Sequence, residues 1–514
     1  MLKFEAVLAL KVSPSLLDEA DEKEMFGVAT AAAIEIHSAT MSCLSEKLAE
    51  REVAGHPIQV GVIGAGKFGS MFIAQTHLTN GIHLAGVCDL NTERIYDAFK
   101  RTHYPESRID MTSTMSLTEG IKSDKTIVTT DSAVLISHPQ IDVILEITGN
   151  PAAGVRHALL CCEHKKHIVM INVEADVLAG PLLARKAKEA GIIYSMAYGD
   201  QPALISEMVD WARVCGFNVV CAGKGTKYLP EYRYSTPDTV WGLYGFTPEQ
   251  VERDSLNPQI FNSFLDGTKS SPEMAAVANC TRLACPTNGL SFTPCGYHDM
   301  AKILKPKSKG GFSEKSGMVD VVSSLETNGR RVFKDARFGV YVVLEANSEY
   351  QKECFEQYGL ETDPSGFYAT QYKPFHLIGL EVGFSVASIM CRGEPTGQTK
   401  TFSGDVVATA KCDLKTGDIL DGEGGYTVVG KLMAAEASLE IGALSIGLAH
   451  GLKLKNDIQK DQNISWKDVE FSEKSQAVAI RREMEAIFRK EFVTRKSKPN
   501  GTSKDNTNGI QNRI

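Results

Sequence analysis

The sequence predicts an α/β protein in three parts: a doubly wound parallel sheet at 57–199, an α+β domain at 200–395 and a β-rich module at 400–471. A lead-in at 1–56 and a helix with a tail at 472–514 flank them. Three observations predict this. Short apolar runs alternate with helical stretches from Ile58 to Ala197, mixed segments rich in Gly, Pro, Tyr and Lys follow Asp200, and Gly-containing turns break up short β-rich runs after Asp405. At 514 residues the chain also exceeds what a single core supports.

Residues 25–50 are Ala-rich and free of proline, which favours a helix that Pro57 ends. Strands are expected at 58–64, 82–89, 125–131, 141–149, 167–172 and 192–197, with helices at 67–79, 91–101, 152–165 and 174–190 between them. Right-handed crossovers at that spacing lay helices on both faces of a parallel sheet. The stretch 102–124 interrupts the rhythm as an insertion or irregular connection. A helix at 202–215 and a strand at 217–223 open the second part, and a charged helix is expected at 473–490, followed by a polar tail too poor in apolar residues to fold.

With 55 Lys and Arg against 63 Asp and Glu, the net charge is −8, which disfavours nucleic-acid binding. The 12 cysteines show no C-x-x-C or zinc-finger spacing, so no metal site is expected and the thiols read as reduced. The apolar run within residues 1–12 is too short for a secretory signal or a membrane span. A cytoplasmic protein without membrane or nucleic-acid partners is the expectation.

The first strand runs into Gly64-Ala65-Gly66-Lys67-Phe68-Gly69, a G-x-G-x-x-G at a strand-to-helix turn, and the second strand ends in Asp89, twenty residues beyond Gly69. Together these form a Rossmann dinucleotide fingerprint: Gly64 for the tight turn, Gly66 for approach to the pyrophosphate, Gly69 for close helix packing, Asp89 for the ribose hydroxyls. NAD or NADP is the expected cofactor. Asp89 would repel a 2′-phosphate and so favours NAD, although Arg94 nearby could serve NADP. Thr148, Gly149 and Asn172, at the carboxyl ends of later strands, are expected to line the nicotinamide side.

The long stretches INVEADVLAGPLLARKAKEAG, YSMAYGDQPALISEMVDWARVCGF and AGKGTKYLPEY, with FLDGTKSSPEMAAVAN and the module at 405–471, resemble the homoserine dehydrogenase-like oxidoreductases that carry a C-terminal SAF domain. The resemblance covers about 45–471 and implies a nicotinamide-dependent reaction at a carbonyl or alcohol carbon, on a small hydroxylated or phosphorylated substrate. It also implies a central domain that dimerises, hence a homodimer or higher homo-oligomer. A related branch, the DXR-like enzymes, reduces and isomerises 1-deoxy-D-xylulose 5-phosphate with NADPH. Cys88-Asp89-Leu90-Asn91 departs from that branch toward NAD, and Asn172-Val173-Glu174 departs from the Asn-Lys pair of homoserine dehydrogenases proper. A nucleotide-binding sensor or scaffold without turnover is the alternative from another class.

Hydride transfer needs a donor or cation beside the developing alkoxide. Lys224, after an apolar strand, is the candidate acid or oxyanion partner, with Lys227 on the same Gly-rich loop as a substrate anchor. Asp266 and Lys269, three positions apart before an Ala-rich helix, are read as a proton-relaying pair. Glu174, Asp200 and Gln201 are placed to orient substrate hydroxyls, Lys315 to close over an anionic group from a Gly-rich loop, and His376 to approach the site.

Overall fold

The computed structural model describes residues 43–110, 115–253 and 256–497. Most of the Ala-rich 25–50 stretch and most of the polar tail lie outside the described residues.

Strands β1 (Ile58–Ile63), β2 (Ile82–Cys88), β3 (Ile127–Thr129), β4 (Val143–Glu146), β5 (His167–Met170) and β6 (Tyr194–Met196) form one sheet in the order β3-β2-β1-β4-β5-β6. Every neighbouring pair is parallel. The order reverses between β1 and β4, which opens a crevice beyond the carboxyl ends of the strands. Helices α1 (Lys67–Thr76), α2 (Pro151–Glu163) and α3 (Val173–Ala190) cover the sheet. Because successive strand residues face opposite ways, Val60 and Val62 join a core with Phe72 and Ile73 of α1, whereas Ile63, Ile144 and Ile168 join Val155 and Leu178 on the other side. The 102–124 connection forms a short 3-10 turn at Glu106–Arg108 and a helix at Leu117–Lys122.

The chain next forms helix α4 (Gln201–Val214) and a mixed sheet of β7 (Asn218–Thr226), β8 (Thr293–Pro294), β9 (Met318–Ser323), β10 (Val340–Glu345) and β11 (Tyr368–Lys373), in the order β11-β10-β7-β9-β8. The β7/β9 and β8/β9 pairs are parallel and the β7/β10 and β10/β11 pairs antiparallel, so this sheet is mixed. Helix α5 (Ser270–Thr281) is buried at every residue. It packs between this sheet and the C-terminal module: Ala275 and Val277 share a core with Ala222 and Val319 on one side and Val406 and Ala408 on the other. Helix α6 (Val382–Arg392) then returns to the first sheet, where Val382 and Val386 join the core of Val60.

The module after residue 400 pairs β12 (Gly404–Ala410) with β14 (Val428–Ala434), beside a second small sheet of β13 (Ile419–Asp421), β15 (His450–Leu454) and β16 (Val469–Glu470). Helix α7 (Gln476–Ser497) closes it. Arg481 of α7 is 0% exposed and is neutralised by Asp405 of β12 and by Glu485; it also donates to the Leu178 carbonyl of α3 at 3.2 Å. One fully paired buried cation thus ties three regions of the sequence together.

Candidate active site

The first part of the site is the β1–α1 turn. Gly64 has φ +110°, and a Cβ there would stand 2.7 Å from the Ile147 carbonyl. A Cβ on Gly69 would stand 2.2 Å from the Gly64 carbonyl, so α1 lies against the strand end only because that atom is absent. Gly66 differs: it heads α1 without a side-chain cap and has open space where a Cβ would sit. The uncapped amides of α1 therefore face an empty approach, the arrangement that receives a pyrophosphate. Lys67 is exposed and Phe68 packs against the core of Val60. Asp89 accepts from the Ala65 amide at 2.9 Å and from the Asn91 amide at 3.0 Å, so it braces the turn and leaves lone pairs for a ribose. Arg94 is exposed on the helix that follows.

Thr148, Gly149 and Asn150 are exposed at the end of β4. The Thr148 hydroxyl donates to buried Glu146, and Asn172, after β5, donates to the Asn150 carbonyl at 2.9 Å and caps α3 through the Ala175 amide. These residues lie at the same carboxyl edge of the sheet as the glycine turn.

Two residues beyond Asn172 the second part begins. Glu174 of α3 forms an ion pair with Lys269, and Lys224 of β7 forms one with Glu273 of α5. Asp200 and Gln201, after β6, enter the same cluster. Asp200 is 4% exposed and caps α4 by accepting from the Gln201 amide at 2.8 Å. Burial foremost, then the charge of Glu273, pushes its carboxyl up to about 7, with Lys269 opposing. Burial works against the charge on Lys269, but Glu174, Glu423, Glu273 and Asp200 more than offset it and hold the ammonium above its ordinary pKa. Gln201 contacts His376 Nε2 at 3.1 Å, while His376 Nδ1 lies 2.9 Å from the Phe338 carbonyl. Burial, aided by Lys224, lowers the His376 pKa, so the neutral ring donates through Nδ1 and accepts from the Gln201 amide through Nε2.

The structure therefore brings together Glu174, Asp200, Gln201, Lys224, Lys269 and His376. It corrects one expectation: Asp266 and Lys269 do not pair. Asp266 ends the helix Pro258–Leu265 and turns to Lys411 at 2.6 Å, while Lys269 turns to Glu174. Two further lysines stand outside the cluster. Lys227 donates to the Leu243 carbonyl at 2.6 Å, and Lys315 is exposed on the loop entering β9, beside the opposite end of β7 from Lys224. Sequence reasoning assigned no role to Glu273 or Glu423. Glu273 lies one helical turn from Lys269, a spacing that could have marked it; Glu423 lies 154 positions away, with no local signal. Among the described residues, no group of three or more His, Cys, Asp or Glu side chains is disposed to hold a metal ion, and no helix is long and apolar enough to cross a membrane.

A doubly wound sheet with an uncapped glycine turn, joined to a buried lysine–carboxylate cluster to which both domains contribute, is a dinucleotide-binding architecture with ionisable groups beside it. Comparison with known families agrees: residues 58–171 match the oxidoreductase family with an NAD-binding Rossmann fold (GFO/IDH/MocA), and residues 199–382 match the catalytic domain of oxidoreductase DRL. The two matches follow one another along the chain, the first on the parallel sheet and the second on the mixed sheet.

Among solved structures it is similar to myo-inositol dehydrogenase from Lactobacillus casei in complex with NAD(H) and myo-inositol (18% identity, 36% of this chain and 50% of that one, TM-score 0.24). It is also similar to 1-deoxy-D-xylulose 5-phosphate reductoisomerase from Zymomonas mobilis in complex with NADPH (17%, 43% and 57%, 0.29). A third is a probable dehydrogenase from Thermotoga maritima (12%, 66% and 90%, 0.32). The chain spans about half the length of the first two. No curated protein matches the sequence.

Proposed function

We propose that the protein moves a hydride between a nicotinamide cofactor and an uncharged, hydroxylated carbonyl or alcohol compound. The observation that carries this reading is the placement of Glu174 and Asp200 on the same sheet edge as the glycine turn, in one cluster with Lys224 and Lys269. A bound nicotinamide supplies or accepts the hydride. Lys224 and Lys269 stand as cations for the substrate oxygen, and their carboxylate partners orient neighbouring hydroxyls. Asp266 supports the site indirectly, through Lys411.

The uncharged character of the substrate follows from the pairing. Lys224, Lys269 and Lys411 each already face a carboxylate, so a phosphate entering the cluster would meet no cation without such a partner. The C-terminal module is read as an SAF-like domain and the assembly as a homo-oligomer formed through the central domain.

Titration of the full chain with NADH and NADPH, followed by a panel of uncharged polyols, hydroxy ketones and sugar phosphates monitored by nicotinamide absorbance, tests the reading. Turnover of an uncharged compound is the expected result. Turnover of a sugar phosphate with NADPH would favour the reductoisomerase reading, and tight nucleotide binding without turnover the sensor reading.

A further inference from the structure

The cluster contains more acid than base. Lys224 pairs with Glu273, Lys269 with Glu174 and Lys411 with Asp266, which leaves Asp200 and Glu423 without a lysine of their own among the described residues. Asp200 is occupied as the cap of α4. Glu423 has no such duty. It comes from the Asp421-Gly-Glu-Gly-Gly turn of the C-terminal module and faces Glu174, Lys269, Asp266 and Glu273. Its Oε1 is shut off from solvent and lacks a hydrogen-bond partner among the described residues, although the residue as a whole is partly exposed.

The turn is held firmly from the other side. Gln259 donates to the Asp421 and Glu423 carbonyls at 3.0 and 2.9 Å, Asn262 to the Gly424 carbonyl at 2.8 Å and Lys411 to the Gly425 carbonyl at 2.8 Å. Gly424 has φ +69°, and a Cβ there would stand 2.1 Å from the Gln259 carbonyl. Thr268 and Ser271, at the start of α5, are bolted to Gly430 of β14 at 3.0 and 2.9 Å. The module is thereby fixed against the segment that carries Lys269 and Glu273.

From these contacts we infer that Glu423, delivered by the C-terminal module, is the neutral acid of the reaction site, the group that gives a proton to the substrate oxygen. This rests on the hydride-transfer reading above. Lys269 is a poor donor because neighbouring carboxylates, Glu174 foremost, hold its proton, which suits it to electrostatic stabilisation. A buried carboxyl whose nearest lysine is already paired, and which stands among other carboxylates, keeps its proton and can give it up when negative charge develops beside it. Burial foremost, then Glu174, raises the Glu423 carboxyl to about 8, against the pull of Lys269. As hydride bonds to the carbonyl carbon, the C=O π pair moves to oxygen and takes the Glu423 proton, leaving a carboxylate beside Lys269. Alcohol oxidation runs the same step backwards, with Glu423 taking the proton.

Infrared pH titration of the full-length protein tests Glu423 without needing a substrate. A protonated-carboxyl band with a midpoint of about 8 is expected in the wild type and in Asp200→Asn, and is expected to be missing from Glu423→Gln. A component with the midpoint of about 8 that persists in Glu423→Gln, or that is absent from both the wild type and Asp200→Asn, overturns the inference; the component at about 7 belongs to Asp200. With a hydroxy ketone that is reduced, Glu423→Gln should lower kcat about a hundredfold and remove the alkaline limb of the pH profile, or the acid limb with a polyol that is oxidised, whereas Glu423→Asp retains that limb. An unchanged kcat and limb in Glu423→Gln also overturns it. Absence of turnover by the wild type across the panel overturns the hydride-transfer reading instead, so the two failures are told apart.

Discussion

The two halves of the site solve opposite problems. The glycine turn carries almost no charge of its own: uncapped amides, an open approach at Gly66 and one braced carboxylate at Asp89. The facing cluster is crowded with charge, and each lysine is answered by a carboxylate. The first suits an anionic cofactor whose phosphates arrive from water. The second suits a neutral substrate whose charge develops only during reaction, where preorganised groups need not rearrange.

The comparison breaks most sharply at Lys224. Lys224→Ala strands Glu273, which is 3% exposed, and should cost about 3–5 kcal/mol of stability in addition to turnover; urea unfolding measures it. A smaller effect is expected on the cofactor side. Gly69→Ala sets a methyl against the Gly64 carbonyl and should cost about 1–3 kcal/mol, with nucleotide affinity falling alongside because α1 must move. Unfolding midpoints paired with NADH titration check both.

Raising the pH should distinguish the halves further. Asp200 and Glu423 have carboxyls raised to about 7 and about 8, so the folded state binds more protons than the unfolded chain above the ordinary carboxyl range. Their contribution to stability is complete below that range and is lost as pH climbs through 7 and 8. Unfolding curves at successive pH values should show this decline, and it should be shallower in Glu423→Gln. The smallest expected change is that of Asp89→Asn, which keeps the bond to the Ala65 amide but removes a negative charge. It should narrow any preference for NADH over NADPH by about 1 kcal/mol or less, read from the ratio of the two dissociation constants.

The same contrast explains what was legible in the sequence. The cofactor side is contiguous: Gly64 to Gly69 sit in one turn, and Asp89 ends the neighbouring strand, so spacing alone locates it. All six parallel strands also announce themselves, because strands buried on both faces read as short apolar runs. The cluster is assembled from α3, the start of α4, β7, α5 and the β13–β14 turn, residues as far apart as Glu174 and Glu423. Candidate lysines and acids could be picked from local chemistry, but pairings could not. The neighbouring Asp266 and Lys269 suggested a couple, yet the helix ending at Leu265 directs Asp266 toward Lys411, across a contact with a segment that lies 145 positions on. Glu423 looked like part of a turn because it is one; its role depends on where Gln259, Asn262 and Lys411 hold that turn.

The most direct test of the central claim is a fluorescence titration of the full-length protein with NADH, run beside Gly69→Ala. Saturable binding at one site per chain, weakened at least about tenfold by the substitution, is the predicted result. No saturable binding by the wild type, or equal affinity in the two proteins, would contradict it.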